Sequence, residues 1–209
     1  ILPSATLAAE AKIVTDWRDI DARVDAMVAA LRELGLRKGD KILVHSRNNL
    51  QLFESCWIAF RLGCVWVPTN FRLTPPEVAY LGASSGARAL LYEANFSSHV
   101  DAVRAASSVI HQVVCIGTPR EGEHDYEALV QRHYGSRPES ATVEYDDPLW
   151  FFYTSGTTGK PKGAMLSHRN LAFMCDAYFA DIGLPAQGDT QLHAAPLSHG
   201  AGMYALPHL

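Results

Sequence analysis

Apolar positions recur along the chain with two alternating periods. From Trp17 the apolar residues Ile20, Val24, Met27, Val28, Leu31 and Leu34 fall three or four apart, which predicts a helix over 17–35. Thr15 or Asp16 caps its start and Gly35 ends it. A turn, KGD at 38–40, leads into an apolar strand core at 42–44. Helix and strand patterns then alternate: helices over 50–62, 75–81, 98–106 and 126–133, and strands over 64–67, 89–92 and 113–116. Pro75 and Pro76 sit in a first helical turn, where proline is tolerated. A polar linker over 135–147 precedes a strand at 149–153, a glycine-rich loop, a short strand at 164–166, a helix over 170–182 and a last strand over 191–195. Segments 7–9 and 12–15 read as a short hairpin, and 117–125 as a surface loop.

Alternating strands and helices imply a doubly wound α/β fold. The sheet is expected to be mostly parallel, with flanking helices and right-handed crossovers. Strands such as ILV and FFY are apolar without a break, as expected where both faces of a sheet are covered. The tryptophans Trp17, Trp57, Trp66 and Trp150 read as core or strand residues.

The chain of 209 residues is 48% apolar and 19% charged, with 18 basic and 22 acidic side chains and a net charge of −4. This balance argues against a nucleic-acid partner held by bulk charge. No apolar run is long enough to span a membrane, and no secretory signal opens the chain. Cys56, Cys64, Cys115 and Cys175 form no CxxC pair or zinc-ligand spacing. They read as buried free thiols of a reducing, cytoplasmic protein. Ile1 at one end and a mixed apolar stretch at the other imply a piece of a longer protein.

The stretch YTSGTTGKPKG, residues 153–163, stands apart. It puts three glycines, four serine or threonine hydroxyls and two lysines at the carboxyl end of a strand, where doubly wound folds bind ligands. Gly156 and Gly159 let backbone N–H groups approach an anion. Ser155, Thr157 and Thr158 add hydroxyl donors, and Lys160 and Lys162 add charge. The composition fits a polyphosphate, or a solvated surface hairpin. The GxxxxGK motif followed by Ser or Thr does not fit, because Gly156 and Gly159 are only three apart and Pro161 follows Lys160. GxGxxG is absent from the loop.

In its order, YTSGTTGKPKG followed by AMLSHRNL resembles the phosphate-binding motif of the adenylate-forming (AMP-binding) superfamily. DIDARVD (19–25), LGLRKGD (34–40) and FRLGCVWVP (60–68) with Asn70, Leu73 and Thr74 resemble further segments of its large N-terminal domain. PLSHG (196–200) resembles a later segment, although that family usually has an aromatic residue where Ser198 stands. Within the superfamily the chain looks most like a fatty or aryl acyl-CoA synthetase.

The resemblance implies ATP-dependent conversion of a carboxylic acid to an acyl-adenylate, then thioester formation with coenzyme A. It implies that Thr154, Ser155, Gly156, Thr157, Thr158, Gly159, Lys160 and Lys162 hold the ATP phosphates. Thr154 would also touch Mg2+, Lys162 would be the catalytic cation, and His199 would line the acyl pocket. His168 reads as structural, at the head of a helix that Ser167 can cap. The family's YGxTE and TGD segments and its lid lysine are absent from the 209 residues. Residues 1–209 are therefore expected to be a partial N-terminal AMP-binding domain without the C-terminal lid. An adenylation domain serving a carrier protein and a non-catalytic nucleotide- or partner-binding module remain alternatives.

Overall fold

The computed structural model describes residues 15–154 and 160–208. The proposed hairpin at the start of the chain lies outside these residues, apart from Thr15. The elements are α1 (Trp17–Glu33), β1 (Lys41–His45), α2 (Leu50–Leu62), β2 (Val65–Pro68), α3 (Pro75–Ser85), β3 (Ala89–Glu93) and α4 (Ser97–Ala106). They continue with β4 (Gln112–Ile116), β5 (His124–Asp125), α5 (Tyr126–His133), β6 (Pro148–Thr154), β7 (Lys162–Ser167), α6 (His168–Asp181) and a short α7 (Gly200–Met203).

The strands form one sheet in the order β5-β4-β3-β1-β2-β6-β7. All neighbours are parallel except β6 and β7, which form an antiparallel hairpin. Alternation along each strand divides the core between the two faces. Ile42, Val44, Trp66, Ala89, Leu91, Val114 and Trp150 pack with α1, α2 and α5. Leu43, Val65, Val67, Leu90, Tyr92, Val113 and Cys115 pack with α3 and α4. Both faces are therefore covered, which explains the unbroken apolar runs.

Local signals set the helix ends. Asp16 accepts from the Asp19 amide at the start of α1. Ser167 and Asn170 form a capping box that starts α6 at His168, the N-cap that Ser167 offers in the sequence. Helix α3 runs on to Ser85, beyond the expected Leu81, and closes at Gly86.

Three expectations need correction. Residues 191–195 form no strand: Leu192 is turned to solvent, and a turn at Ala186–Asp189 and Pro196 bound the stretch. The expected loop over 117–125 ends in the short strand β5, paired with Val114 and Cys115. Trp17 is not a core residue, because it opens α1 on its solvent side and is 59% exposed. Cys56, Cys64 and Cys115 are buried free thiols, while Cys175 is half-buried.

Candidate functional site

Because β1, β2, β3 and β6 are parallel, their carboxyl ends at His45, Pro68, Glu93 and Thr154 share one edge of the sheet. From β1 the chain passes to β2 on one side, whereas β3 lies on the other. Ligands of doubly wound sheets bind beyond such an edge, where the connections diverge. The glycine-rich loop joins β6 to β7 there.

The hairpin fixes the neck of that loop. Thr154 and Lys162 are direct cross-strand partners, as are Phe152 and Ala164. Directly opposed residues share a face, with Cβ atoms about 5 Å apart. The Thr154 hydroxyl and the Lys162 ammonium thus start from the same face, and both residues are exposed, as is Lys160. No ion pair among the described residues engages Lys160 or Lys162. Ser155, Gly156, Thr157, Thr158 and Gly159 lie outside the described residues.

His199 reaches the same face. Trp150 and Phe152 alternate towards the core that also holds Leu197, Met203 and Leu206. The Phe152 and His199 rings lie 5.2 Å apart, tilted by 56°. Thr154 lies two residues beyond Phe152 on that face, about 7 Å along the strand. The fold therefore brings Thr154, Lys160, Lys162 and His199 to one region. Gly202 makes the tight packing of this segment possible, since a Cβ there would lie 2.0 Å from the Leu197 carbonyl oxygen.

His168 is elsewhere. It follows the far end of β7, where its backbone N–H donates to the Asp147 carbonyl (3.3 Å) and its ring packs near Phe60. Burial lowers its pKa.

Two features of the site escaped sequence reasoning. On the opposite face of β6, Tyr153 lies across Gly163, where an added Cβ would meet the ring at 3.1 Å. Its phenol pairs with the Ser84 hydroxyl at 2.7 Å, tying the hairpin to α3. Burial raises the Tyr153 pKa, so the phenol stays protonated. The motif contains the signal for this contact: a glycine directly across from an aromatic residue. The second feature is Asn48, just after β1, which bonds the backbone of residues 195 and 197. A separation of about 150 positions leaves no periodic or local signal of that contact.

The donor set bears on magnesium. Among the described residues no cluster of three or more His, Cys, Asp or Glu side chains could hold a metal ion. Thr154 offers one exposed hard oxygen at the neck of the glycine-rich loop. That fits a single protein contact to an ion carried mainly by phosphate oxygens and water, the usual habit of Mg2+.

The comparisons agree with this fold. The family model described as AMP-binding enzyme matches residues 5–207. The chain is 33% identical over 209 residues to a feruloyl-CoA synthase from Amycolatopsis sp., covering 99% of this chain and 39% of that protein. It is 33% identical over 179 residues to the fatty acid–acyl-carrier-protein ligase ScoC of Streptomyces coeruleorubidus, covering 84% and 33% respectively. Among solved structures, the inhibitor-bound N-terminal domain of FACL13 from Mycobacterium tuberculosis superposes with a TM-score of 0.78 at 26% identity. That match covers 93% of this chain and 48% of the other. The chain spans well under half the length of these curated relatives. With the fold, the hairpin and the family match in agreement, the chain belongs to the AMP-binding enzyme family.

Proposed function

We propose that the intact protein activates a carboxylic acid with ATP and passes the acyl group to the thiol of coenzyme A. One observation carries this reading: Thr154 and Lys162 flank the neck of the glycine-rich loop, on the face where His199 meets Phe152. Family membership and the names of the relatives support it. Residues 1–209 would be part of an N-terminal AMP-binding domain, with the lid supplied by sequence outside them. The acid would be an aryl or fatty acid.

In the first half-reaction a carboxylate oxygen attacks the α-phosphorus of ATP. The bond from that phosphorus to the bridging oxygen breaks, and pyrophosphate leaves with the electron pair. The approach of one anion to another is the barrier the site must lower. Lys162 would offset charge on the β- and γ-phosphates as pyrophosphate forms, with Lys160 beside it. Ser155, Thr157 and Thr158 would donate from their hydroxyls, and Gly156 and Gly159 from backbone N–H groups. Thr154 would contact Mg2+, which when bound screens phosphate charge. His199 would line the acyl pocket next to the reacting carboxylate. In the second half-reaction the thiol displaces AMP from the acyl carbon, forming the thioester and releasing a proton.

The ScoC relative favours a second acceptor, an acyl-carrier protein in place of coenzyme A. No helix among the described residues is long and apolar enough to cross a membrane, and a cytoplasmic setting is part of the proposal.

The test is ATP–pyrophosphate exchange by the intact protein with a panel of aryl and fatty acids, followed by thiol acceptance. The proposal expects exchange that depends on the acid, and a thioester formed with coenzyme A. Thioester only on carrier protein selects the second reading. No exchange with any acid overturns both.

A further inference from the structure

Residues 190–195 have no strand partner, and the segment that follows them carries His199. Backbone polar groups of such a stretch need partners from elsewhere. Asn48 supplies two. Its Nδ2 donates to the Ala195 carbonyl (2.9 Å), and its Oδ1 accepts from the Leu197 N–H (2.9 Å). One planar amide thus bonds the segment as a neighbouring strand would, with one donor and one acceptor.

The base of this clamp is itself fixed. Asn49 caps α2 by accepting from the Leu52 N–H (2.7 Å), and its amide donates to the Ser46 hydroxyl (2.7 Å). Arg47 is held by Glu93 on β3. Asn48 is left to reach outward from a rigid corner. On the far side of its bonds, Leu197 is buried in the core and the Gly202 backbone closes against the Leu197 carbonyl. His199 follows two residues later, against Phe152.

We infer that Asn48 is a positioning residue: it holds the 195–199 segment so that His199 stands at a set distance from the Thr154–Lys162 pair, and so sets how the acid is received. The inference rests on the function proposed above. An acid entering between His199 and the loop neck would feel any loosening of this segment, whereas the phosphate contacts on the hairpin would not.

The test uses N48A and the isosteric N48D in the intact protein. Asp retains an acceptor for Leu197 but sets a carboxylate against the Ala195 carbonyl, so both variants break the clamp. Amide hydrogen exchange at Leu197 should accelerate about thirtyfold in N48A, the equivalent of two ordinary hydrogen bonds, and by less in N48D, with exchange in β1 and α2 unchanged. In ATP–pyrophosphate exchange the KM for the acid should rise about tenfold, with the KM for ATP unchanged. A merely structural role would reduce the active fraction and leave both KM values alone. Unchanged exchange at Leu197 overturns the clamp, whatever the enzyme does. Faster exchange with an unaltered acid KM overturns its part in receiving the acid. A wild-type protein inactive with every acid overturns the proposed function and that part, while the clamp is still judged on hydrogen exchange.

Discussion

In the middle of the sheet, Ile42, Leu43 and Val44 of β1 are wholly buried. At its edge, Lys162, Gly163, Ala164 and Met165 of β7 all face solvent. The two strands belong to one sheet and meet opposite demands. Residues of β1 are chosen by packing, since helices press on both faces. Those of β7 are largely released from packing, and its first residues continue a motif whose order is not explained by burial. Strand β6 joins the two regimes. It is buried at Leu149 and Trp150, half-buried from Phe151 to Tyr153 and exposed at Thr154. Packing fixes one end of the strand, and the other opens to solvent.

Substitutions at the two ends should separate these roles. The largest effect on stability is expected for Trp66→Ala. Trp66 is 2% exposed, meets Trp150 with ring centroids 4.5 Å apart and donates its indole N–H to the Ser55 hydroxyl. Its loss should cost about 4 kcal/mol, read as a fall in the urea midpoint.

A smaller effect comes from the buried His45, stacked on His99 and near Glu93. Its Nδ1 meets the Thr69 hydroxyl at 2.6 Å, while its Nε2 is buried with no partner among the described residues. Burial first, then the neighbouring His99, lowers its pKa from the ordinary 6.5 to about 3. Between those values the unfolded chain binds a proton that the folded chain does not. Stability should therefore fall as pH falls through that window, by about 2 kcal/mol at about pH 5. Comparing urea midpoints at neutral and mildly acidic pH for the parent and His45→Asn checks this. An equal acid-induced loss in both would assign the effect to other groups.

His199→Ala should change the ratio of kcat/KM between a bulky and a small acid by about tenfold, or about 1.4 kcal/mol. It should leave the ATP KM unchanged, and an identical acid profile would remove His199 from the pocket. The smallest effect is expected for Gly163→Ala, whose Cβ would press on the Tyr153 ring at 3.1 Å. The ring would tilt and strain its bond to Ser84, at a cost of about 1 kcal/mol in the urea midpoint.

Much of the fold was legible because its signals are local. Helices α2 and α5 begin and end where periodicity puts them, at Leu50–Leu62 and Tyr126–His133. The buried strands were visible as apolar runs. Helix α6 starts where Ser167, read as its N-cap, puts it, and Asn170 completes the capping box. The errors also have local causes. Residues 191–195, QLHAA, lack the β-branched residues that favour a strand, and pairing depends on a neighbour that composition cannot reveal. Spacing puts Trp17 on the inward face, yet a first-turn residue at a helix end need not face the core.

The site divides in the same way. The motif order made Thr154, Lys160 and Lys162 legible as one group, and the hairpin register explains why Thr154 and Lys162 start from one face. The approach of His199 to Phe152 spans almost fifty residues and depends on Leu197, Gly202 and Asn48 together. No spacing in the sequence encodes that convergence.

The most direct test of the central claim is ATP–pyrophosphate exchange by Lys162→Ala in the intact protein, measured beside its urea midpoint. An exposed lysine at the loop neck that acts on the phosphates should slow exchange by about 100-fold or more, near 3 kcal/mol in the barrier, with the midpoint unmoved. Exchange equal to that of the parent would contradict the assignment of the hairpin to phosphate chemistry.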